Sequence, residues 1–135
     1  MPTRQHQRIL AIVLKAMSQR GFSLVAVDGK TEGWDQLGLG RPGDFGRHRP
    51  DAVGIQADGT IGIAEAKTAD DVASPRTREQ LEDFLAPSDV DYAAVFFGYP
   101  RSADGVVKSL LMSIGAINCP QLELIPVPDE LLDAK

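Results

Sequence analysis

Two adjacent extended segments, DAVGIQADG and TIGIAEAKT, constrain the fold more than any other part of the chain. Successive side chains of a strand point to opposite faces, so one face of the second segment carries four alternate residues: Ile61, Ile63, Glu65 and Lys67. Small residues on the other face are typical of a strand against which a helix packs closely. The two charges therefore continue an apolar face at the edge of the core. A buried carboxylate and ammonium are costly unless they are paired or bind something, so this placement predicts a function.

The turn between the two segments decides which face Asp51 occupies, because a shift of one residue moves every side chain to the other face. If residues 58–59 form a two-residue loop, Asp51 lies opposite Ala66 and away from Glu65. If residues 57–59 form a three-residue loop closed by a glycine bulge, apolar residues pair across the hairpin and Asp51 lies opposite Glu65. We favour the second register because its apolar pairs match.

Asp51 and Glu65 then form a pair of carboxylates on neighbouring strands. Directly opposed carboxylates repel each other unless a proton or a cation lies between them. A divalent cation would remove this repulsion, and oxygen ligands suit Mg²⁺ or Mn²⁺ better than zinc. The hairpin therefore predicts a metal site with Lys67 beside it.

Hydrophobic periodicity predicts three helices and three further strands around this hairpin. The predicted helices span residues 3–20, 75–85 and 103–114, and their boundary residues are typical of helix ends: Gly21, Ser74, Pro75, Ser102 and Gly115. The predicted strands span 22–29, 92–100 and 122–128, with a long glycine-containing loop over 30–49. Residues 129–135 are expected to be a frayed tail or a short helical turn.

This order of elements, α-β-β-β-α-β-α-β, predicts an α/β fold with three layers, in which helices flank a mixed central sheet. A length of 135 residues fits one compact domain over residues 1–135 and is too short for two. No apolar stretch approaches the roughly 20 residues that span a bilayer, so no membrane segment is expected. The single cysteine and the lack of a secretory signal pattern favour a cytoplasmic setting.

The net charge of -5 at first argues against nucleic acid as a partner, since phosphate binding depends on lysine and arginine. The acidity is uneven, however. Residues 1–80 hold 11 basic and 10 acidic side chains, whereas residues 81–135 hold 3 and 9. Basic residues also crowd the loop before Asp51, and the first helix has a basic stripe. A basic surface beside the site and an ordinary solvated mixture of charges both fit this distribution.

The motif RPD at 49–51, followed after thirteen residues by EAK at 65–67, resembles the PD-(D/E)XK motif of restriction-endonuclease-like nucleases. A preceding helix and a following helix that carries Gln80 strengthen the resemblance, which covers residues 3 to 127. It implies a restriction-endonuclease-like core, a mixed sheet flanked by helices. It also implies that Asp51, Glu65 and the backbone carbonyl of Ala66 bind Mg²⁺, with Mn²⁺ as a substitute.

The same resemblance implies that Lys67 orients or activates the attacking water and offsets charge on the phosphate. Gln80 is a further candidate, since many relatives carry a glutamine on this helix; a plain surface glutamine is the alternative. The candidate nucleic-acid-binding residues are Arg47, His48, Arg49 and Arg76. His48 is either a contact for the phosphate, a base, or a surface histidine.

One departure from the family pattern concerns the first helix, because residues 1–27 contain no acid where many members have a metal ligand. Two-metal catalysis would need another acid, such as Asp44. The leading prediction is a Mg²⁺-dependent endonuclease that hydrolyses DNA phosphodiester bonds, with a homodimer required if both strands are cut. The alternatives are a non-catalytic nucleic-acid- or protein-binding module on the same fold and an unrelated α/β domain.

Overall fold

Five strands form one mixed sheet, and helices cover both of its faces. The computed structural model describes residues 3–28, 42–44, 48–85 and 94–132. The helices are α1 (Arg4–Gln19), α2 (Ala69–Val72), α3 (Pro75–Leu85), α4 (Asp104–Ser113) and α5 (Asp129–Leu132). The strands are β1 (Ser23–Val27), β2 (Ala52–Ile55), β3 (Ile61–Ala66), β4 (Ala94–Pro100) and β5 (Leu122–Val127). The α/β class, the mixed sheet and the predicted order of the eight main elements are confirmed.

The strands lie side by side in sequence order. β1 with β2 and β2 with β3 are antiparallel, whereas β3 with β4 and β4 with β5 are parallel. Parallel neighbours need a crossover connection, which α3 and α4 provide. Both helices pack on the face of Phe97 and Tyr99, and α1 packs on the face of Phe96. The sheet is thus the middle layer of three.

Two glycines of the sheet, Gly62 and Gly98, leave room for α1 to pack closely against it. A Cβ atom on Gly98 would collide with the side chain of Val13, and one on Gly62 would lie 2.7 Å from the Phe22 ring. The small-residue face predicted for β3 is therefore the face that α1 covers. The buried residues of α1 are those of the predicted apolar stripe: Ile9, Leu10, Val13, Leu14 and Met17.

The ends of α1 also follow local rules. Thr3 caps the helix, because its hydroxyl accepts a hydrogen bond of 3.1 Å from the backbone N–H of His6. Gly21 follows the last turn with φ of 89°, a conformation that glycine adopts without strain.

The β2–β3 hairpin has the three-residue loop. Val53 pairs with Ile63 and Ile55 with Ile61, which is the favoured register. The N–H of Gln56 donates to the Thr60 carbonyl over 2.9 Å, closing the loop. Gly59 has φ of 92°, as the glycine bulge requires.

Outside the hairpin, one predicted helix cap is wrong, and two predicted segments lie partly outside the described residues. The cap role of Ser102 is wrong, because its hydroxyl donates to the Asp129 carboxylate over 2.6 Å and a 3₁₀ turn, Arg101–Ala103, precedes α4. The tail begins as a helical turn, α5, and residues 133–135 lie outside the described ranges. Most of the predicted loop over 30–49 also lies outside them. Within the described ranges, no helix has the length and apolar character required to cross a membrane.

Candidate metal and phosphodiester site

Asp51 lies where β2 begins, with its side chain in the plane of the sheet. Its backbone N–H donates to the Ala64 carbonyl over 3.1 Å, so the residue is fixed to β3. Its carboxylate oxygen Oδ2 accepts a hydrogen bond of 2.9 Å from the N–H of Ala66, the next ladder donor on that side of β3. The side chain thus continues the hydrogen bonding of β2 beyond the end of its backbone ladder.

The pairing of the hairpin strands becomes irregular at Asp51. The register pairs Ala52 with Ala64, yet the Asp51 N–H donates to the Ala64 carbonyl, so two residues lie opposite one residue of β3. The bond from Gln56 to Thr60 shows that even-numbered residues of β3 direct their backbone groups toward β2, since the alternation has a period of two. The backbone groups of Ala66 therefore point toward the segment that carries Asp51, as the bond from its N–H to the Asp51 carboxylate shows.

Glu65 faces the same end of the hairpin from within the core, with only 2% of its surface exposed. Its oxygen Oε2 lies 3.3 Å from the N–H of Asp51 and accepts a hydrogen bond from it. Burial raises the pKa of Glu65 well above its usual range, and the neighbouring Asp51 carboxylate raises this pKa further. The ammonium of Lys67 acts in the opposite direction. The Asp51 and Glu65 carboxylates thus lie close enough to repel each other when both are ionised.

Lys67 continues β3 beyond its last residue. Its N–H donates to the Gly98 carbonyl of β4 over 3.0 Å, which keeps the residue in the parallel ladder. Its Nζ atom lies 3.6 Å from Oε1 of Glu65. Both side chains are largely buried, so water screens this ion pair far less than it screens a surface pair.

His6 of α1 is a member of the site that sequence reasoning missed. Its Nε2 atom lies 3.2 Å from Oδ2 of Asp51, while its Nδ1 atom is buried without a hydrogen-bond partner in the described part of the chain. A signal was present in the sequence. His6 precedes Ile9 and Leu10 by three and four residues, so it extends the buried stripe of α1 by one turn.

Gln80 lies on the buried face of α3 and is only 3% exposed. Phe84, one turn later on the helix, packs against Ile63 of β3. A crossover helix runs back along the strand before it, so Gln80 lies nearer than Phe84 to the Glu65 end of β3. Its Oε1 atom is buried and accepts no hydrogen bond from any described residue.

The predicted nucleic-acid-binding residues have different surroundings. Arg47 lies outside the described residues. Arg49 is half-buried, and its Nε atom lies 3.9 Å from the carboxylate of Asp44, which is itself exposed. Arg76 is exposed in the first turn of α3. Asp44, the acid considered as a ligand for a second metal ion, thus pairs with Arg49. The acid that raises the pKa of Glu65 is Asp51.

His48 is buried rather than on the surface, with 7% of its area exposed. Its Nδ1 atom lies 2.8 Å from Oδ2 of Asp83, and its Nε2 atom lies 3.7 Å from Oε2 of Glu79. Both acids belong to α3, one turn apart. Contact of this ring with a phosphate, one of the roles considered for it, has no support in this arrangement.

Arg8, which belongs to the predicted basic stripe of α1, and Arg20, the residue after α1, both form contacts within the protein. Arg8 donates to the Leu131 carbonyl of α5 over 3.2 Å. Arg20 pairs with Glu123 of β5 over 2.9 Å. These two arginines therefore hold α1 against the end of the chain and against the sheet edge.

The oxygen ligands at the Asp51–Glu65 end fit a hard divalent ion in chemistry: the two carboxylates and the backbone carbonyl of Ala66. Among the described residues, no group of three or more His, Cys, Asp or Glu side chains is arranged to hold a metal ion. The ion would therefore be held by two side chains, the Ala66 carbonyl and water, which is usual for Mg²⁺. In comparisons with known proteins, no family model, no curated protein and no solved structure matches this chain.

Proposed function

We propose that this chain is a metal-dependent nuclease of the PD-(D/E)XK type, with a restriction-endonuclease-like core, that hydrolyses DNA phosphodiester bonds. One observation carries the proposal. A buried carboxylate, Glu65, lies beside a second carboxylate on the next strand, and a largely buried ammonium lies 3.6 Å from it. A protein keeps such an arrangement at considerable electrostatic cost, and catalytic sites are where that cost is commonly found.

Each residue has a distinct role in this proposal. Asp51, Glu65 and the Ala66 carbonyl hold Mg²⁺ or Mn²⁺. When bound, the ion polarises the phosphoryl group and lowers the pKa of water at the site. Lys67 orients the attacking water and stabilises negative charge that develops on the phosphate. Gln80 offers a buried amide oxygen that accepts a hydrogen bond from that water.

DNA is the proposed partner, although the chain as a whole is acidic. Arg49 and Arg76 lie in the segment before Asp51 and at the start of α3, and neither belongs to the acidic C-terminal part of the chain. One site of this size cuts one strand at a time, so cleavage of both strands would require a two-fold dimer. A reducing, cytoplasmic setting suits the single cysteine.

A plasmid assay tests the proposal. Supercoiled DNA incubated with the protein should be nicked when Mg²⁺ or Mn²⁺ is present and should remain intact in a chelator. Lys67→Ala should slow nicking by about 100- to 1,000-fold, the usual cost of removing one group that stabilises the transition state. Lys108→Ala is the matched control, because Lys108 pairs with Asp104 on α4, outside the site. Equal nicking by the two variants would reject the assignment.

A second candidate is a binding module on the same fold without turnover. It is favoured by the internal pairing of the charges: Oδ2 of Asp51 already contacts both Ala66 and His6. This candidate predicts retained affinity for a nucleic acid or a protein, with no cleavage at any metal concentration.

A further inference from the structure

We propose that His48 is a positioning residue, which fixes the segment before β2 to α3 and so sets the place of the Asp51 carboxylate relative to Glu65 and Gln80. This inference rests on the proposed function, since the position of Asp51 matters for cation binding.

The imidazole ring of His48 contacts two acids of α3. A carboxylate only accepts hydrogen bonds, so the bond of 2.8 Å to Asp83 places a hydrogen on Nδ1 of His48. The distance of 3.7 Å from Nε2 to Glu79 is an ion-pair distance and too long for a hydrogen bond. The two ring nitrogens point in diverging directions toward separate acids, so the ring bridges two positions on α3. The bond to Asp83 is the strong one.

The segment that connects His48 to Asp51 is short and stiff. Only Arg49 and Pro50 separate them, and Pro50 is buried. Proline fixes its own φ and restricts the residue before it to extended conformations. The other end of this short segment is held by the bond of 3.1 Å from the Asp51 N–H to the Ala64 carbonyl. The His48 contact and the Asp51 contacts therefore constrain one short stretch of backbone, and a displacement of the imidazole would strain the contacts that hold the Asp51 carboxylate.

Helix α3 carries both partners of His48. Glu79 directly precedes Gln80, and Asp83 directly precedes Phe84, the residue that packs on Ile63. The same helix thus presents Gln80 to the sheet and holds His48 from its neighbouring positions. His48 is a direct side-chain link between the helix that carries Gln80 and the segment that carries Asp51.

Two substitutions that differ by one methylene group test this role. His48→Asn places a side-chain N–H near the position of Nδ1 and retains the bond to Asp83. His48→Gln carries its amide further, toward the position of Nε2, and loses that bond. The Kd for Mn²⁺ is measured by calorimetry on the full chain, with the melting temperature recorded for each variant. We expect His48→Asn to bind Mn²⁺ like the wild type and His48→Gln to bind about 10- to 100-fold more weakly, the usual cost of losing an outer contact of a ligand.

A purely structural role predicts a different result. His48→Gln would then melt at a lower temperature, and both folded variants would bind Mn²⁺ with an unchanged Kd. That result would overturn the positioning role while leaving the proposed function intact, provided that the wild type binds Mn²⁺ and nicks DNA. A wild-type protein that binds no Mn²⁺ would overturn both proposals together.

If His48→Gln does not fold, the partners on α3 give the same comparison. Asp83→Ala removes the acceptor at 2.8 Å, whereas Glu79→Ala removes the one at 3.7 Å. Alanine is favourable within a helix, so neither change disrupts α3 as a helix. We expect weaker Mn²⁺ binding from Asp83→Ala alone, and equal Kd values for these two variants would overturn the positioning role.

Discussion

Glu65 shows at the scale of one residue what the proposed site costs the folded protein. The side chain is almost fully buried, and burial is the largest cause of its raised pKa, followed by the charge of Asp51. A group in this position holds a proton easily when no cation is present. Because a metal ion requires the ionised form, a proton and the proposed metal ion would compete for the same carboxylate. Lys67 offsets part of the charge but does not reverse the direction of the shift.

The raised pKa of Glu65 predicts how stability depends on pH in a chelator. Below about pH 4.3, the usual pKa of an unfolded glutamate, both states hold the proton. Above it the unfolded chain loses the proton while the folded protein keeps it, so stability falls as pH rises toward the folded pKa. The loss is about 1.4 kcal/mol for each unit by which the pKa is raised.

Melting temperatures of the wild type and of Glu65→Gln, recorded across this pH range, check the prediction. The wild type should lose stability relative to the variant as pH rises, and Mn²⁺ should restore it at neutral pH. Parallel pH profiles of the two proteins would show that the carboxylate is not destabilised by its surroundings.

Elements whose boundaries depend on local chemistry could be predicted from the sequence. The stripe of α1, the glycine at its end and the three-residue loop of the hairpin all depend on residues close together in the chain. The start of α4 could not be predicted in the same way, because Ser102 bonds to Asp129, 27 residues further on. The short helix α2 has only four residues, too few for a periodic pattern.

The close packing of α1 on β4 predicts opposite effects for two glycine substitutions. Gly98→Ala should cost about 1 to 3 kcal/mol, because its methyl group collides with Val13 and α1 must move away from the sheet. Gly105→Ala is the control: no atom lies within 4 Å of the added methyl group. Alanine there should stabilise α4 by about 0.5 to 1 kcal/mol. Urea denaturation measures both changes, and a Gly98→Ala variant as stable as the wild type would contradict the described packing.

At the scale of the whole molecule, the candidate site combines a local part with a part contributed by distant segments. Asp51, Glu65 and Lys67 share one hairpin, so alternation and turn chemistry were sufficient to bring them together. The contacts of His6 with Asp51 and of His48 with Asp83 join residues 45 and 35 positions apart. Periodicity places His6 on the buried stripe of α1, but the partners of both histidines depend on how the helices pack on the sheet.

In the proposed function, Asp51 and Glu65 together hold one divalent cation at the end of the β2–β3 hairpin. Calorimetric titration of Mn²⁺ into the wild type, Asp51→Asn and Glu65→Gln tests it most directly, with Glu130→Gln, an exposed acid of α5, as the control. We expect one binding event in the wild type and the control, weakened about 10-fold or more in each site variant because a charged ligand is lost. Identical titrations for all four proteins, or no binding by the wild type, would contradict it.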